Sequence, residues 1–335
     1  MSFFASVALL VACGDDALNR SMVIVGNNDL TTINNSRELP ENFNSVQKSI
    51  GLMTGKCTAF HLGNGVVATA AHCVAVDEPK NNAHIPCQFI DIKWGATATE
   101  KPYLTSRCLE VLTLTQANNA DIAILRVDPI PEWALEPARG QSLVGSQLSL
   151  MGYAQGTNLQ WSKGCGIYSP NETTLAKGQF IHQCDSEPGH SGSPVFNDSL
   201  KVIGVHDGGD KDWNYGTFLS FAEVENMKQR ASSSPTDVAV REGLTMTFGP
   251  FDNSENKLLA TIPSQTAKSV SLSFSLDIEK DYDILRIVDG SGKIRELSGT
   301  TRVEMEHLRT PISLAYVSDY AGPSKSIGIT VTAVE

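Results

Sequence analysis

The chain has 335 residues, a length that corresponds to about two domains. Its hydrophobic content of 41% is sufficient for folded cores, and a charged fraction of 19% argues against a disordered chain. The formal net charge of −11 argues against a nucleic-acid partner, because an acidic protein and a polyanion repel each other.

The first residues contain an apolar stretch, residues 9–12, that is followed directly by Cys13. This stretch is too short to span a bilayer and is typical of a targeting segment. It resembles a bacterial lipoprotein signal, which implies export, a lipid on Cys13 and membrane anchoring through that lipid. It departs from the signal pattern because residues 1–12 contain no Lys or Arg, so a chance match is the alternative.

A second N-terminal motif is Val23-Ile24-Val25-Gly26-Asn27-Asn28-Asp29. It resembles the mature N-terminus of bacterial glutamyl endopeptidases. The resemblance implies that residues 1–22 are a signal and propeptide segment, cleaved after Met22, and that the freed α-amino group lies near the specificity pocket. The alternative is an ordinary first strand with an Asn-rich turn. Cleavage after Met22 would remove any lipid on Cys13 together with the propeptide.

Between residues 50 and 127, short apolar runs alternate with Gly, Asn and Pro, which predicts a first β-barrel with long surface loops. Two of these runs carry a polar residue at one end, where a core residue would be expected. His72 follows the run that begins at Gly65, and Asp121 opens the run that ends at Val127. His72 and Asp121 are therefore candidate functional residues.

A proline-containing connector, residues 128–140, precedes a second predicted barrel with strands between residues 147 and 221. Within it, the sequence Gly189-His190-Ser191-Gly192-Ser193-Pro194 separates two strand-like runs. A glycine-rich turn of this kind exposes the Ser191 hydroxyl, and the backbone N–H groups of Gly189 and Ser191 can point together at a developing oxyanion. Taken alone, this motif could be a serine-rich hairpin loop. Residues 222–231 lack Gly and Pro and predict a helix.

The order His72, Asp121, Ser191 is that of the chymotrypsin-like proteases, and the three motifs together resemble trypsin-like serine proteases over residues 23–231. The resemblance implies two β-barrels with the active site in the cleft between them. It also implies that His72 takes the proton of Ser191 and that Asp121 orients the imidazole. No cofactor is implied for this reaction.

Six of the seven cysteines lie in the protease-like part, and this even number predicts three disulfides and an oxidising compartment. The resemblance implies a Cys57–Cys73 disulfide beside His72. Sequence alone does not fix the other pairs, and Cys87–Cys108 and Cys165–Cys184 are taken as a working prediction. A zinc site is the competing interpretation, which the absence of a Cys-x-x-Cys pair disfavours.

The resemblance leaves two alternatives for the specificity pocket. Asp185 lies six residues before Ser191, where trypsin keeps the carboxylate that binds Lys or Arg. Ser186 and His206 occupy positions at which glutamyl endopeptidases bind an acidic side chain, and members of that branch also carry Asp at the position of Asp185. We favour cleavage after Glu, with cleavage after Lys or Arg as the alternative. His206 could instead be a structural histidine.

His190 stands where trypsin has an Asp that pairs with the new α-amino group on activation. Histidine cannot supply this anion, so we expect the trypsin activation switch to be absent. Removal of a propeptide from a zymogen could still act through the pocket.

Residues 232–241 begin with three serines and a proline and predict a linker. Residues 242–335 contain about seven runs of alternating apolar and polar residues, which predicts a small β-sandwich. Segments around Phe274–Asp277, Tyr282–Leu285 and Ser318–Asp319 resemble a CUB domain, although the cysteines common in CUB domains are missing. The resemblance implies a Ca²⁺ site made by Asp277, Asp283 and Asp319. The alternative is a set of acidic surface turns without a metal.

The sequence thus predicts an all-β protein, with a chymotrypsin-like double β-barrel followed by a CUB-like β-sandwich. Its predicted function is that of an exported serine endopeptidase, secreted, periplasmic or bound to the cell envelope, that acts on proteins or peptides. The sandwich is expected to bind protein or surface ligands. An alternative is a non-catalytic binding or adhesion protein that uses the protease fold as a scaffold, but the complete set of triad residues argues against it. An α/β esterase is disfavoured by the order of the triad residues.

Overall fold

The computed structural model describes residues 24–74, 85–87, 90–116, 120–140, 144–168, 178–210, 212–232, 234, 236–251, 257–318 and 326–335. The expectations for residues 1–22, for Val23, for lipidation of Cys13 and for Asp319 lie outside the described residues.

Six antiparallel strands in the first half of the chain close into a barrel. Their order is β7-β6-β2-β3-β4-β8, and pairing of β7 with β8 completes the ring, while β5 adds to β7. The β3–β4 hairpin turns at Asn64 and Gly65, both with positive φ, as a tight Asn-Gly hairpin turn requires. These strands are β2 (Ile50–Met53), β3 (Thr58–Gly63), β4 (Val66–Thr69), β5 (Ile85–Pro86), β6 (Asp91–Trp94), β7 (Leu104–Thr115) and β8 (Ile122–Asp128).

A second six-stranded barrel follows. Its order is β10-β11-β14-β13-β12-β9, closed by pairing of β9 with β10, and β1 adds to β10 from the N-terminal side of the chain. Apolar side chains of the barrel strands are buried in two hydrophobic clusters. These strands are β1 (Thr31–Thr32), β9 (Gln147–Ala154), β10 (Asn158–Tyr168), β11 (Gln179–His182), β12 (Pro194–Asn197), β13 (Val202–Gly209) and β14 (Asn214–Phe218).

Helices are few in the described part of the chain. Helix α1 (Asn44–Lys48) leads into β2, and helix α2 (Phe221–Ser232) follows the second barrel where residues 222–231 predict a helix. Short 3₁₀ turns cover Ser36–Glu38, Glu41–Phe43 and Ala71–Cys73. No helix among the described residues is long and apolar enough to cross a membrane.

The C-terminal part is a sandwich of two four-stranded antiparallel sheets, ordered β15-β22-β17-β20 and β16-β21-β18-β19. Its core is separate from those of the barrels and includes Leu272, Phe274 and Tyr316. One strand, β19, is absent from the sequence prediction, because its side chains do not alternate between buried and exposed. The strands are β15 (Thr245–Phe248), β16 (Lys257–Ile262), β17 (Ser269–Asp277), β18 (Ile284–Val288), β19 (Ile294–Leu297), β20 (Thr300–Arg309), β21 (Ile312–Val317) and β22 (Ser326–Val334).

The sandwich contacts the first barrel through polar side chains. Arg126 on β8 is 5% exposed and donates to the hydroxyl of Thr261, on β16 of the sandwich, at 3.1 Å and to Asp237 Oδ1 at 2.8 Å. Asp128, at the end of the same strand, accepts from the backbone N–H and the hydroxyl of Ser264 at 2.6 and 2.7 Å. The segment predicted as a linker is therefore bound to the barrel at Asp237.

Both barrels and the sandwich confirm the predicted fold class. The double barrel is the architecture of the chymotrypsin fold. The last residue of β4, Thr69, pairs with Ala123 near the start of β8, so the end of β4 and the start of β8 lie side by side at one end of the first barrel. Two of the candidate functional residues lie directly beyond this pair.

Candidate active site

His72 and Asp121 are in direct contact. His72 lies in the 3₁₀ turn after β4, and the buried Asp121 immediately precedes β8. The Nδ1 atom of His72 lies 2.5 Å from Asp121 Oδ2, and the backbone N–H of His72 donates to Asp121 Oδ1 at 2.9 Å. An ionised carboxylate only accepts hydrogen bonds, so Nδ1 carries the proton and Nε2 is the basic nitrogen.

The loop that carries Ser191 is fixed to the first barrel. Thr58 donates its backbone N–H to the Ser191 carbonyl at 2.9 Å and its hydroxyl to the Gly189 carbonyl at 2.9 Å. The neighbouring Cys57 forms a disulfide with Cys73, the residue after His72. Strand β3 therefore holds the Ser191 loop and the His72 turn together across the cleft between the barrels.

Two glycines allow this close approach. Gly189 and Gly192 have φ values of +102° and +88°, a region that disfavours residues with a Cβ. A Cβ on Gly189 would lie 2.4 Å from the Tyr153 carbonyl oxygen, and one on Gly192 would lie 2.0 Å from the Thr58 carbonyl oxygen. Both positions therefore require glycine in this structure.

The expected oxyanion donors are available. In the described part of the chain, the backbone N–H groups of Gly189 and Ser191 make no hydrogen bond to protein. The Pro188 carbonyl accepts from the Gln155 N–H, and the His190 carbonyl accepts from the Ser193 N–H. Because C=O and N–H point in opposite directions across a trans peptide, these contacts turn both free N–H groups away from the barrel. This arrangement can stabilise an oxyanion beside Ser191.

His72 Nε2 is buried and has no hydrogen-bond partner among the described residues, and the Ser191 hydroxyl makes no hydrogen bond there either. Catalytic hydrogen bonds of this kind often tighten only when substrate binds.

Comparison with known proteins agrees with the barrel topology. Residues 57–205 match the family described as trypsin-like peptidase domain, and this stretch includes His72, Asp121 and Ser191. This protein is a serine endopeptidase. A search of curated proteins finds no match to its sequence.

Two solved structures illustrate the likeness of the peptidase domain. A Glu endopeptidase in complex with MPD shares 18% identity with this chain, over 61% of this chain and 98% of that one, with a TM-score of 0.47. The active form of the Rv3671c protease from M. tuberculosis shares 19% identity, over 62% of this chain and 92% of that one, with a TM-score of 0.39.

Three disulfides cross-link the peptidase domain. All three predicted pairs, Cys57–Cys73, Cys87–Cys108 and Cys165–Cys184, are present in the structure. Cys57, His72 and Cys73 are the one group of three potential metal-ligand side chains that lie within 4.8 Å of one another among the described residues. Because both sulfurs are joined in a disulfide, this group cannot act as a zinc site.

The pocket candidates Ser186 and His206 are joined by residues that the sequence did not single out. The Ser186 hydroxyl donates to Asn214 Oδ1 at 2.8 Å, and Asn214 Nδ2 donates to the Cys184 carbonyl at 2.7 Å. His182 lies opposite Asn214 in the β11–β14 pair, and its Nε2 atom lies 3.1 Å from His206 Nδ1. The sequence could have indicated His182 as a functional candidate, because it is a polar residue in a run that is predicted to be an apolar strand.

Both of these histidines are neutral near pH 7. Burial lowers the pKa of His182 to about 3, against a smaller opposing effect of the Tyr215 backbone. Burial also lowers the pKa of His206 well below its usual range, and the neighbouring histidines, His182 first, lower it further. The prediction that His206 recognises a carboxylate therefore requires a hydrogen bond from a neutral imidazole.

His190 is buried beneath the Ser191 loop. Its Nδ1 atom accepts from the backbone N–H of Glu187 at 2.9 Å, so its proton is on Nε2. Burial lowers the pKa of His190 to about 4, and the Gly152 backbone opposes this shift. His190 thus offers no negative charge to an incoming α-amino group, in keeping with the expected absence of a trypsin-like switch.

Asp185 is hydrogen-bonded to the N-terminal segment of the chain. It is buried, and its two oxygens accept from the backbone N–H groups of Val25 and Asp29, each at 2.7 Å. Burial raises the pKa of Asp185, while the Asp29 and Val25 N–H groups act in the opposite direction. Each oxygen thus has a backbone donor and keeps a further lone pair for another donor, and the alternative in which Asp185 binds a Lys or Arg side chain of the substrate stays a prediction.

The predicted calcium ligands are described only in part. Asp277 ends β17 and Asp283 precedes β18, so they stand at the two ends of one loop. Asp277 Oδ1 accepts from the Thr300 hydroxyl at 3.3 Å, and Asp283 Oδ2 from the Glu279 N–H at 3.4 Å. Calcium binding and the CUB-like resemblance remain predictions.

Proposed function

We propose that this serine endopeptidase is an exported enzyme that cleaves peptide bonds after Glu, with His72, Asp121 and Ser191 as its catalytic triad. The observation that carries the proposal is the 2.5 Å contact between His72 Nδ1 and Asp121 Oδ2, together with a serine loop whose Gly189 and Ser191 N–H groups have no partner among the described residues. A base, an orienting carboxylate, a nucleophile and an oxyanion site are the parts that acyl transfer requires.

In the proposed reaction, Ser191 Oγ attacks the scissile carbonyl carbon while His72 Nε2 takes the hydroxyl proton. The carbonyl oxygen becomes an oxyanion, which the N–H groups of Gly189 and Ser191 stabilise. His72 Nε2 then gives its proton to the leaving amine as the C–N bond breaks, which leaves an acyl group on Ser191. Water then attacks the acyl carbon while His72 Nε2 takes a proton from it. The proton passes to Ser191 Oγ as the acyl bond breaks, which releases the acid product and restores Ser191. Asp121 stabilises the imidazolium in both steps.

Specificity for Glu is supported by the neutral histidine pair. One of the two imidazoles must donate across the 3.1 Å contact between His182 Nε2 and His206 Nδ1. We place this proton on His182, so that His206 carries its own proton on Nε2 and can donate it to the substrate carboxylate. A buried donor of this kind favours a substrate with a matching acceptor, because unsatisfied buried polar groups are costly.

Export is supported by the three disulfides, which form and persist in oxidising compartments. The proposal includes protein or peptide substrates and a sandwich that binds protein or surface ligands. Lipid anchoring through Cys13 and Ca²⁺ in the sandwich are further parts of it that need their own measurements.

The test is digestion of a reduced, denatured protein, with the products identified by mass spectrometry. Wild type is compared with Ser191→Ala and, as a matched control, with Ser199→Ala in the exposed turn between β12 and β13. We expect cuts after Glu with wild type and with the control, and a rate lower by several orders of magnitude with Ser191→Ala. Cuts confined to Lys and Arg would overturn the proposed specificity. Equal rates for wild type and Ser191→Ala would overturn the triad.

A further inference from the structure

We propose that Asp185 is a positioning residue, which fastens the N-terminal segment, residues 24–29, to the wall of the specificity pocket. The inference rests on the proposed function, because that function places the specificity pocket at Ser186 and His206, next to Asp185. It gives this carboxylate a role within the protein instead of a role in binding a basic substrate side chain.

The first step is the geometry of the carboxylate. Asp185 Oδ1 accepts from the Val25 N–H and Oδ2 accepts from the Asp29 N–H, both at 2.7 Å. Each oxygen therefore holds a different point of the same short segment. Hydrogen bonds to an ionised carboxylate are about twice as strong as bonds between neutral groups, so the pair forms a firm two-point clamp.

A second set of contacts holds the other end of the segment. Asp29 Oδ1 accepts from the Ser162 hydroxyl at 2.8 Å, and Asp29 Oδ2 accepts from the Lys163 N–H at 3.3 Å. Ser162 Oγ in turn accepts from the backbone N–H of Asp185 at 3.0 Å. Ser162 thus links the Asp29 carboxylate to the backbone of Asp185, and β10, on which it lies, also pairs with β1 just beyond the segment.

The clamp is directly connected to the pocket. Asp185 is followed by Ser186 and preceded by Cys184, and both of these residues are bonded to Asn214, at 2.8 and 2.7 Å. The backbone at residues 184–186 is therefore held between the N-terminal segment on one side and Asn214 on the other. Release of the segment removes one of these two supports and frees Ser186 to move relative to the pocket.

The electrostatics of the site agree with this role. Burial raises the pKa of Asp185 and the neighbouring Asp29 carboxylate raises it further, whereas the N–H groups of residues 25 and 29 lower it and so favour the charged form. The carboxylate and the segment thus stabilise each other, since the ionised clamp needs the backbone donors and the segment needs the acceptors.

The experiment uses the full-length protein and the variants Asp185→Asn and Ser162→Ala, with Asp198→Asn in an exposed turn as the control. Hydrogen exchange is followed at residues 24–33, and kcat and KM are measured on matched peptides with Glu or Lys at the cleaved position. Ser162→Ala tests the clamp from its other end, and also serves if Asp185→Asn does not fold.

We expect both variants to speed exchange of the segment about tenfold or more, which corresponds to loss of a charged hydrogen bond. We expect KM for the Glu peptide to rise by about fivefold or more with kcat nearly unchanged, since the reacting groups are untouched. The control should match wild type. Unchanged exchange, or faster exchange with an unchanged KM, would overturn the proposal.

The two proposals fail in distinguishable ways. If wild type cleaves after Lys and Asp185→Asn abolishes that cleavage, Asp185 binds substrate and the clamp role is wrong. If wild type does not cleave after Glu but both variants still loosen the segment and raise KM on the preferred peptide, the clamp stands and only the specificity is wrong.

Discussion

Thr217 on the second barrel accepts a hydrogen bond from the backbone N–H of Asp121 on the first, with an N–O distance of 3.0 Å. The same hydroxyl donates to Asp207 Oδ2 at 2.7 Å. Both Thr217 and Asp207 are buried. The position of Asp121, and through it the orientation of His72, therefore depends on a contact between the two barrels.

Two replacements of Thr217 should distinguish the effect of its hydroxyl hydrogen bonds from the effect of its packing. Thr217→Val keeps the shape but leaves the Asp121 N–H and the Asp207 carboxylate without this partner, whereas Thr217→Ser keeps the hydroxyl. We expect kcat to fall about tenfold or more in the valine variant, because a buried polar group that loses its partner costs about 1–3 kcal/mol. Steady-state kinetics on a Glu peptide checks this. A valine variant with wild-type kcat, or a serine variant as slow as valine, would contradict the role of the hydroxyl.

Acid should destabilise the peptidase domain through its buried histidines. Burial lowers the pKa of His61 and His190 to about 4 and that of His182 to about 3. It also lowers the pKa of His206 well below its usual value of 6.5. In the unfolded chain these groups bind protons near pH 6.5, so the unfolded state takes up more protons in acid. Their contribution to stability is fully present above pH 6.5 and is lost as the pH falls toward 4.

The measurement is the free energy of unfolding in urea at several pH values from 7.5 to 5. Near pH 5, each of the four histidines should add about 1.4 kcal/mol per pH unit to the slope. Asp185 acts in the opposite sense, because burial raises its pKa. His182→Gln and His61→Gln, one in each barrel, should each reduce this slope by the contribution of one proton, about 1.4 kcal/mol per pH unit. A slope that neither substitution changes would show that these histidines titrate alike in the folded and unfolded states.

Gly192→Ala should disrupt the Ser191 loop. The added Cβ would lie 2.0 Å from the Thr58 carbonyl oxygen, and the φ of +88° is unfavourable for alanine. We expect a loss of peptide hydrolysis of at least about a hundredfold and a lower melting temperature, because the loop must move away from β3. Gly140→Ala is the control, since its Cβ would meet no atom within 4 Å. Similar activity for the two variants would show that the loop tolerates this shift.

Removal of the sandwich should affect stability more than chemistry. The sandwich contacts β8 at Arg126 and Asp128. Strand β8 extends for seven residues from Ile122, next to Asp121, so these contacts lie about 20 Å along the strand from the active site. A chain that ends at Ala231 should keep its activity on small peptides. It should melt at a lower temperature, because the buried Arg126, which stays paired with Glu110, loses its second carboxylate partner, Asp237.

Differential scanning calorimetry with peptide kinetics tests this expectation, and Asp237→Asn in the full-length chain isolates the ion pair from the rest of the interface. Glu242→Gln, an exposed position nearby, is the control. A truncated chain with unchanged melting temperature would mean that the interface adds no stability. A truncated chain that has the melting temperature of the full-length chain but no hydrolytic activity would mean that the sandwich completes the active site.

The sequence by itself predicts the fold class, and its resemblance to trypsin-like proteases implies the Cys57–Cys73 disulfide and the pairing of His72 with Asp121. The other two disulfide pairs, which the sequence does not fix, are a working prediction that the structure bears out. The reason is local and strong patterning. Short apolar strands, tight glycine turns and polar residues at strand ends are each recognisable within a few residues of the chain, and their order along it matched a known architecture. The β19 strand was missed because it forms an edge of its sheet, where pairing with β18 stabilises it without an alternating pattern.

Only the tertiary structure decided which groups meet across the barrels. Asp185 is 160 residues from Val25, and Thr217 is 96 residues from Asp121, yet both pairs are hydrogen-bonded. An aspartate that binds a substrate cation and one that binds backbone N–H groups have the same local sequence. Their roles differ only in which donors the folded chain brings to the carboxylate, and that depends on how distant segments pack together.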